Sequence, residues 1–233
     1  PFNIDNLLRV SYQGSFFGLL NPFALLAGLI SIAMLIAHAG MWLQLRTADA
    51  VAERSGQYGR YALIAFIVLF AAAGFWVANL SGYQIVSMGD TQGHSDPLAK
   101  VVTTAKGAWL NNYTERAWTV TFPVLAFAMA LSALVFSKLN KPALGLISTA
   151  LMLVGVIMTA GVSLFPFIMP SINNPNISLT IWDAVSSHKT LNIMLVAVAI
   201  FVPLILAYTT WCYVKMWRRV TVEEIETNTH GSY

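Results

Sequence analysis

Carboxylates are missing from the five long apolar stretches of this sequence. All ten, Asp5, Asp49, Glu53, Asp90, Asp96, Glu115, Asp183, Glu223, Glu224 and Glu226, fall outside those stretches or at their edges. A charge at the centre of a membrane-spanning helix costs a few kcal/mol or more, so acids persist there mainly to carry protons, ions or substrate. Cysteine is almost absent: Cys212 is the only one, which excludes an intrachain disulfide framework and a thiolate pair for a metal. Charge of either sign is scarce, at 10% of residues against roughly 25% in soluble domains. A water-exposed surface cannot be built from that inventory. There is no phosphate-binding glycine loop, dinucleotide fingerprint, nucleophile elbow or zinc motif.

Hydrophobic residues make up 57% of the 233 positions, and the mean hydropathy is +0.67. The fold class that follows is an all-α polytopic membrane bundle of about five transmembrane helices, forming a single domain over 1–233. The expected spans are 22–45, 61–80, 117–136, 142–167 and 190–217. Asn21 with Pro22 suits a helix start, because Asn caps and Pro is tolerated at the first helical position. Pro166 and Pro170 end the fourth span, and Pro203 predicts a kink in the fifth. Ala71-Ala72-Ala73-Gly74 in the second span, and Gly145 with Thr149 and Gly155 with Thr159 in the fourth, are small-residue patterns that let helices approach closely.

The net charge of +3 reflects topology and not nucleic acid, since no basic cluster lies away from the span ends. Arg46, Arg54, Arg60, Lys138, Lys141, Lys215, Arg218 and Arg219 fall on one side of the spans. Arg9, Lys100, Lys106, Arg116 and Lys189 fall on the other. The first side is therefore cytoplasmic, with the C-terminus inside and Pro1 outside. An even number of further spans ahead of Pro1 explains an outside start without a signal sequence. The seven Trp lie near span ends or in flanking loops, as aromatic belts do. The extracytoplasmic loop 81–116 is expected to hold a short helix over 97–109. Thr221 to Glu224 reads as a capping box that opens a polar helix in the cytoplasmic tail, 218–233.

Four histidines could serve as ligands, and only His38 lies within a span. It stands near the inner interface with no second intramembrane His, which favours an imidazole hydrogen-bonded to its surroundings over a haem ligand or a proton relay. Among the acids Asp183 stands out, in a compact polar segment with Trp182, Ser186 and Ser187 between the last two spans. These residues are expected at the start of the fifth helix or at a subunit interface, with Asp183 capping the helix and pairing with Lys189. The competing role for Asp183 is an outer-surface acid that receives protons from a nearby redox site.

Specific wording runs through the chain: Leu19-Leu20-Asn21-Pro22-Phe23, Gly107-Ala108-Trp109, Phe165-Pro166-Phe167-Ile168-Met169-Pro170, Ser178-Leu179-Thr180-Ile181-Trp182-Asp183-Ala184, and Tyr208 to Trp217. In order and content it resembles the C-terminal part of subunit II of the cytochrome bd quinol oxidases. The resemblance implies a bacterial inner-membrane enzyme of the aerobic respiratory chain that oxidises quinol and reduces dioxygen to water. It implies haem b and haem d on a partner subunit I, with subunit II giving structural and assembly support. In some members subunit II also holds a structural quinone, and a small accessory subunit and membrane lipids complete the assembly. The family's proton-path acids belong to an N-terminal half that this sequence does not match, so no catalytic or metal residue is carried over. Half of a secondary transporter, and a quinone- or lipid-binding anchor of another respiratory complex, are the competing readings.

Overall fold

The computed structural model describes residues 2–5, 7–12, 14–89, 96–215 and 217. Five helices in it are long and apolar enough to cross a membrane. They are α1 (Pro22–Arg46), α2 (Asp49–Asn79), the segment Ala117–Lys138, α5 (Pro142–Leu164) and α6 (His188–Lys215). In the third of these a 3-10 turn, Ala117–Val120, leads into α4 (Thr121–Lys138). Asn21 caps α1 as its side chain suggests, accepting from the Ala24 N–H at 2.8 Å, with Pro22 as the first helical residue. α6 continues through Pro203 as helix.

α2 starts at Asp49 and not at Tyr61. Polar residues 49–60 stay helical because Gly56 and Gly59 lie against α1, where a tertiary contact stabilises turns that hydropathy alone does not mark. A Cβ on Gly40 would fall 2.7 Å from the Gly59 Cα, and one on Gly56 would fall 2.8 Å from the Gln44 side chain. The closest glycine contacts thus lie at the other end of the helix, while within the Ala71 to Gly74 run Ala73 joins the buried core. Gly74 faces open space.

The expected packing face of the fourth span is present. A Cβ on Gly155 would meet the Ala126 backbone N at 2.8 Å, and one on Gly145 would meet Met41 Sδ at 3.0 Å. Ala37, Met41, Leu63, Phe66, Ala133 and Met152 form the centre of the core between α1, α2, α4 and α5. α6 stands apart from that core and has no buried residue. Its ring contacts lie at one end, where Trp42 meets Tyr213 at 5.9 Å and Trp217 at 6.0 Å, and Arg46 lies over the Trp217 ring.

Connecting segments fold into a cap over the other end of the bundle. It has three antiparallel pairs: β1 (Phe2–Ile4) with β2 (Val10–Tyr12), β3 (Ser81–Ser87) with β4 (Val101–Lys106), and β5 (Phe167–Met169) with β6 (Leu179–Thr180). Much of the helix expected over 97–109 is strand. Val101, Val102, Thr103 and Thr104 are β-branched and pair with Ser87, Ile85, Gln84 and Tyr83 in turn, a local preference that outweighs the amphipathic reading. Gly107, at φ +74°, turns the chain out of β4 into a 3-10 turn at Ala108–Leu110 and then α3 (Asn111–Glu115). The capping box at Thr221 to Glu224 lies outside the described residues.

Candidate functional site at the start of the last span

The cap is held by polar groups that reach across it. Tyr83 donates its hydroxyl to the Ser171 carbonyl at 2.8 Å, and Ser171 Oγ donates to the Phe2 carbonyl at 2.9 Å. The Val102 N–H donates to Asn176 Oδ1 at 2.7 Å. Asn112 Nδ2 donates to the carbonyls of Val162 and Phe165 at 2.8 and 2.6 Å, satisfying acceptors at the end of α5 that no further turn of helix could meet. Burial pushes the Tyr83 phenol above its ordinary pKa. The Tyr113 phenol moves the same way for the same reason, opposed by its bond to Ser163.

At the centre of this network Lys100 Nζ lies 2.8 Å from Asp183 Oδ2, with the two side chains 1% and 6% exposed. Lys100 also donates to the Pro97 carbonyl at 2.6 Å. The same carboxylate oxygen accepts from the Thr180 N–H at 2.9 Å and the Thr180 hydroxyl at 2.7 Å. Removing two charges from water costs several kcal/mol per ion unless the pair is well satisfied. Here both charges are.

Asp183 thus reaches back to the turn at Thr180 and across to Lys100; its expected pairing with Lys189 is replaced. The reason is geometric: β5–β6 pairing brings the segment over β4, so the nearer cation is the one heading that strand. Sequence reasoning passed over Lys100 as one of several loop cations. The available signal was a lone Lys set directly before a β-branched run.

The neighbours of Asp183 separate in the structure. Trp182 is half-buried, with its ring 6.4 Å from Phe165, and Arg116 lies 5.4 Å over the Phe165 ring. Ser186 is exposed. Ser187 stands just before α6, its hydroxyl 3.0 Å from Thr190 Oγ1 and 3.4 Å from the Thr190 N–H. Its carbonyl accepts from the Leu191 N–H at 2.9 Å.

His38 lies away from this cluster, on α1, with Nδ1 2.9 Å from Thr149 Oγ1 of α5. Thr149 directs its one hydroxyl proton to the Leu146 carbonyl at 2.9 Å, so it accepts from Nδ1–H. A haem needs a slot wide enough for the macrocycle beside its ligand. Around His38 the helices are closed, with Ala37, Met41 and Thr149 fully buried and Gly40 against Gly59. The packing between α1 and α5 beside His38 leaves no such slot.

Residues 1–216 match the profile of a family described as cytochrome bd terminal oxidase subunit II. The chain belongs to this family. It is 42% identical over 234 residues to cytochrome bd-I ubiquinol oxidase subunit 2 of Escherichia coli strain K12, covering 100% of this chain and 62% of the relative. It is likewise 42% identical over 233 residues to a probable cytochrome oxidase subunit 2 of Haemophilus influenzae, with the same coverage. The chain spans 62% of the length of these curated relatives. Among its described residues it offers four mutually packed spans, a cap, and a fifth span, α6, with no buried residue.

Proposed function

We propose that this chain works as subunit II of a quinol:dioxygen oxidoreductase of the bacterial cytoplasmic membrane. The complex takes electrons from quinol and reduces dioxygen to water, with haem b and haem d on a partner subunit I. This chain supplies packing surface and assembly support. The observation that carries the reading is α6, an apolar span with no residue buried against the other described residues. A span with no neighbour among the described residues over most of its length is a surface for other helices, and membership of the subunit II family supports an oxidase complex as the place where they are found.

In this reading the cap, including 81–116, faces outward together with Pro1, and the tail 218–233 is cytoplasmic. Trp182, Asp183, Ser186 and Ser187 then order the approach to the partner-facing helix. Lipids and a small accessory subunit cover the remaining apolar faces, and a structural quinone can lie among them. Affinity purification through a tag on this chain, from its native membranes, tests the proposal. The purified material should contain a haem-bearing partner, show a reduced haem d band and consume oxygen with quinol. A chain that purifies without a haem protein, or that alone drives substrate uptake into liposomes, overturns it.

A further inference from the structure

At the end of the bundle opposite the cap, the α1–α2 turn and the α4–α5 turn enclose an open pocket of about 450 Å³. Its floor is a closed polar circuit. Ser137 Oγ donates to Gln44 Oε1 at 3.0 Å and accepts from Arg60 Nη1 at 3.2 Å, and Gln44 Nε2 donates to the Ser137 carbonyl at 3.3 Å. Gln44 and Ser137 are buried. This circuit holds the Arg60 guanidinium at the base of the pocket with donors to spare.

The other charges in the lining are Lys138, Asp49 and Glu53. Among the described residues, neither acid forms an ion pair with Arg60 or Lys138. Two cations and two anions thus surround one cavity without neutralising each other. They are also ordered along the bundle axis. Glu53 stands two turns before Arg60 on the same face of α2, about 10 Å farther from the apolar part of the helix, and Asp49 is a turn beyond that. Leu139 and Leu144, beside the Asn140 and Pro142 rim, are exposed and apolar.

We propose that this pocket binds the phosphoethanolamine headgroup of a membrane lipid. The phosphate sits on Arg60 and Lys138 at the level where the spans leave the apolar layer, and the primary ammonium points outward to Glu53 and Asp49. The acyl chains descend past Leu139 and Leu144. Arginine and lysine at membrane helix ends are established partners for lipid phosphates. The acids supply the selectivity: they repel a headgroup with net negative charge, and a primary ammonium can donate to them. A quaternary ammonium cannot, and the lining has no aromatic ring to cradle one.

The test is native mass spectrometry of the purified membrane assembly, delipidated and returned to nanodiscs of equal parts phosphatidylethanolamine, phosphatidylglycerol and phosphatidylcholine. The wild type should retain one phosphatidylethanolamine about tenfold more tightly than the other two lipids, the scale of a charge-assisted hydrogen bond. The exposed double variant Asp49→Asn/Glu53→Gln should invert the preference to phosphatidylglycerol, and Lys138→Gln should lower retention of both. Equal retention of all three lipids by the wild type, or an unchanged preference in the double variant, overturns the proposal. Full displacement of the lipid by soluble phosphoethanolamine also overturns it, because the pocket would then serve a soluble ligand.

Discussion

Lys100 Nζ and Asp183 Oδ2 meet at 2.8 Å with both side chains removed from solvent, and through them the β3–β4 hairpin is fastened to the segment that leads into α6. The last span has no buried residue of its own. On the cap side, its position therefore depends on how firmly that segment is held. The pair is a buried strut between two segments that are also joined by the Tyr83 bond to the Ser171 carbonyl and the Val102 bond to Asn176.

Removing one partner leaves an uncompensated charge in a buried place. Asp183→Asn or Lys100→Met should destabilise the cap by about 3–5 kcal/mol, while the paired replacement Lys100→Met/Asp183→Leu should recover most of that loss. Protease cleavage of the 81–116 segment and thermal unfolding of the purified protein read the effect. Single and double variants that behave alike would show the pair to be dispensable.

The α1–α2 contact makes a second expectation. Gly59→Ala places a methyl 2.9 Å from the Met41 terminal carbon and 3.3 Å from the Gly40 Cα, so it should cost about 1–3 kcal/mol through overpacking. Gly74→Ala meets nothing within 4 Å in the chain and should leave stability unchanged or slightly raised. Comparing the two variants by thermal unfolding separates a packing glycine from a permissive one.

Tyrosine ionisation gives a third. Burial raises the Tyr83 phenol above its ordinary 10.0, so in the unfolded chain the proton leaves first. The stabilisation is whole below pH 10.0 and is lost as the pH climbs through the folded value. The cap should loosen in strong alkali, seen as accelerated proteolysis of the 81–116 segment together with tyrosinate absorbance. Tyr83→Phe loses the bond to Ser171 at every pH and should shrink the alkaline step.

The spans were legible because membrane insertion is decided by long runs of apolar residues, which need no knowledge of neighbours. Asn21 with Pro22 marked the start of α1, and Gly155 marked a packing face, because each signal is local. The missed features depend on contacts distant in sequence. Residues 49–60 look like a polar loop until Gly40 of α1 is set against Gly59. The 97–109 segment looks helical until Val102 is set against Ile85. Asp183 had a cation close by in Lys189, and only the strand pairing reveals that Lys100 is closer. For the bundle, composition was enough; for the cap and the candidate site, topology decided which partner each side chain met.

His38 bears on the central claim. Its imidazole is engaged by Thr149 in a closed interface, so His38→Gln should leave the haem content of the purified assembly unchanged while weakening α1–α5 packing. Pyridine haemochrome titration of wild type and variant would measure it.

The most direct measurement is the haem content of this chain after it has been separated from whatever co-purifies with it. The account predicts a colourless, detergent-soluble helical protein, with the reduced haem d band remaining entirely in the co-purifying fraction. Stoichiometric haem on the isolated chain would contradict it.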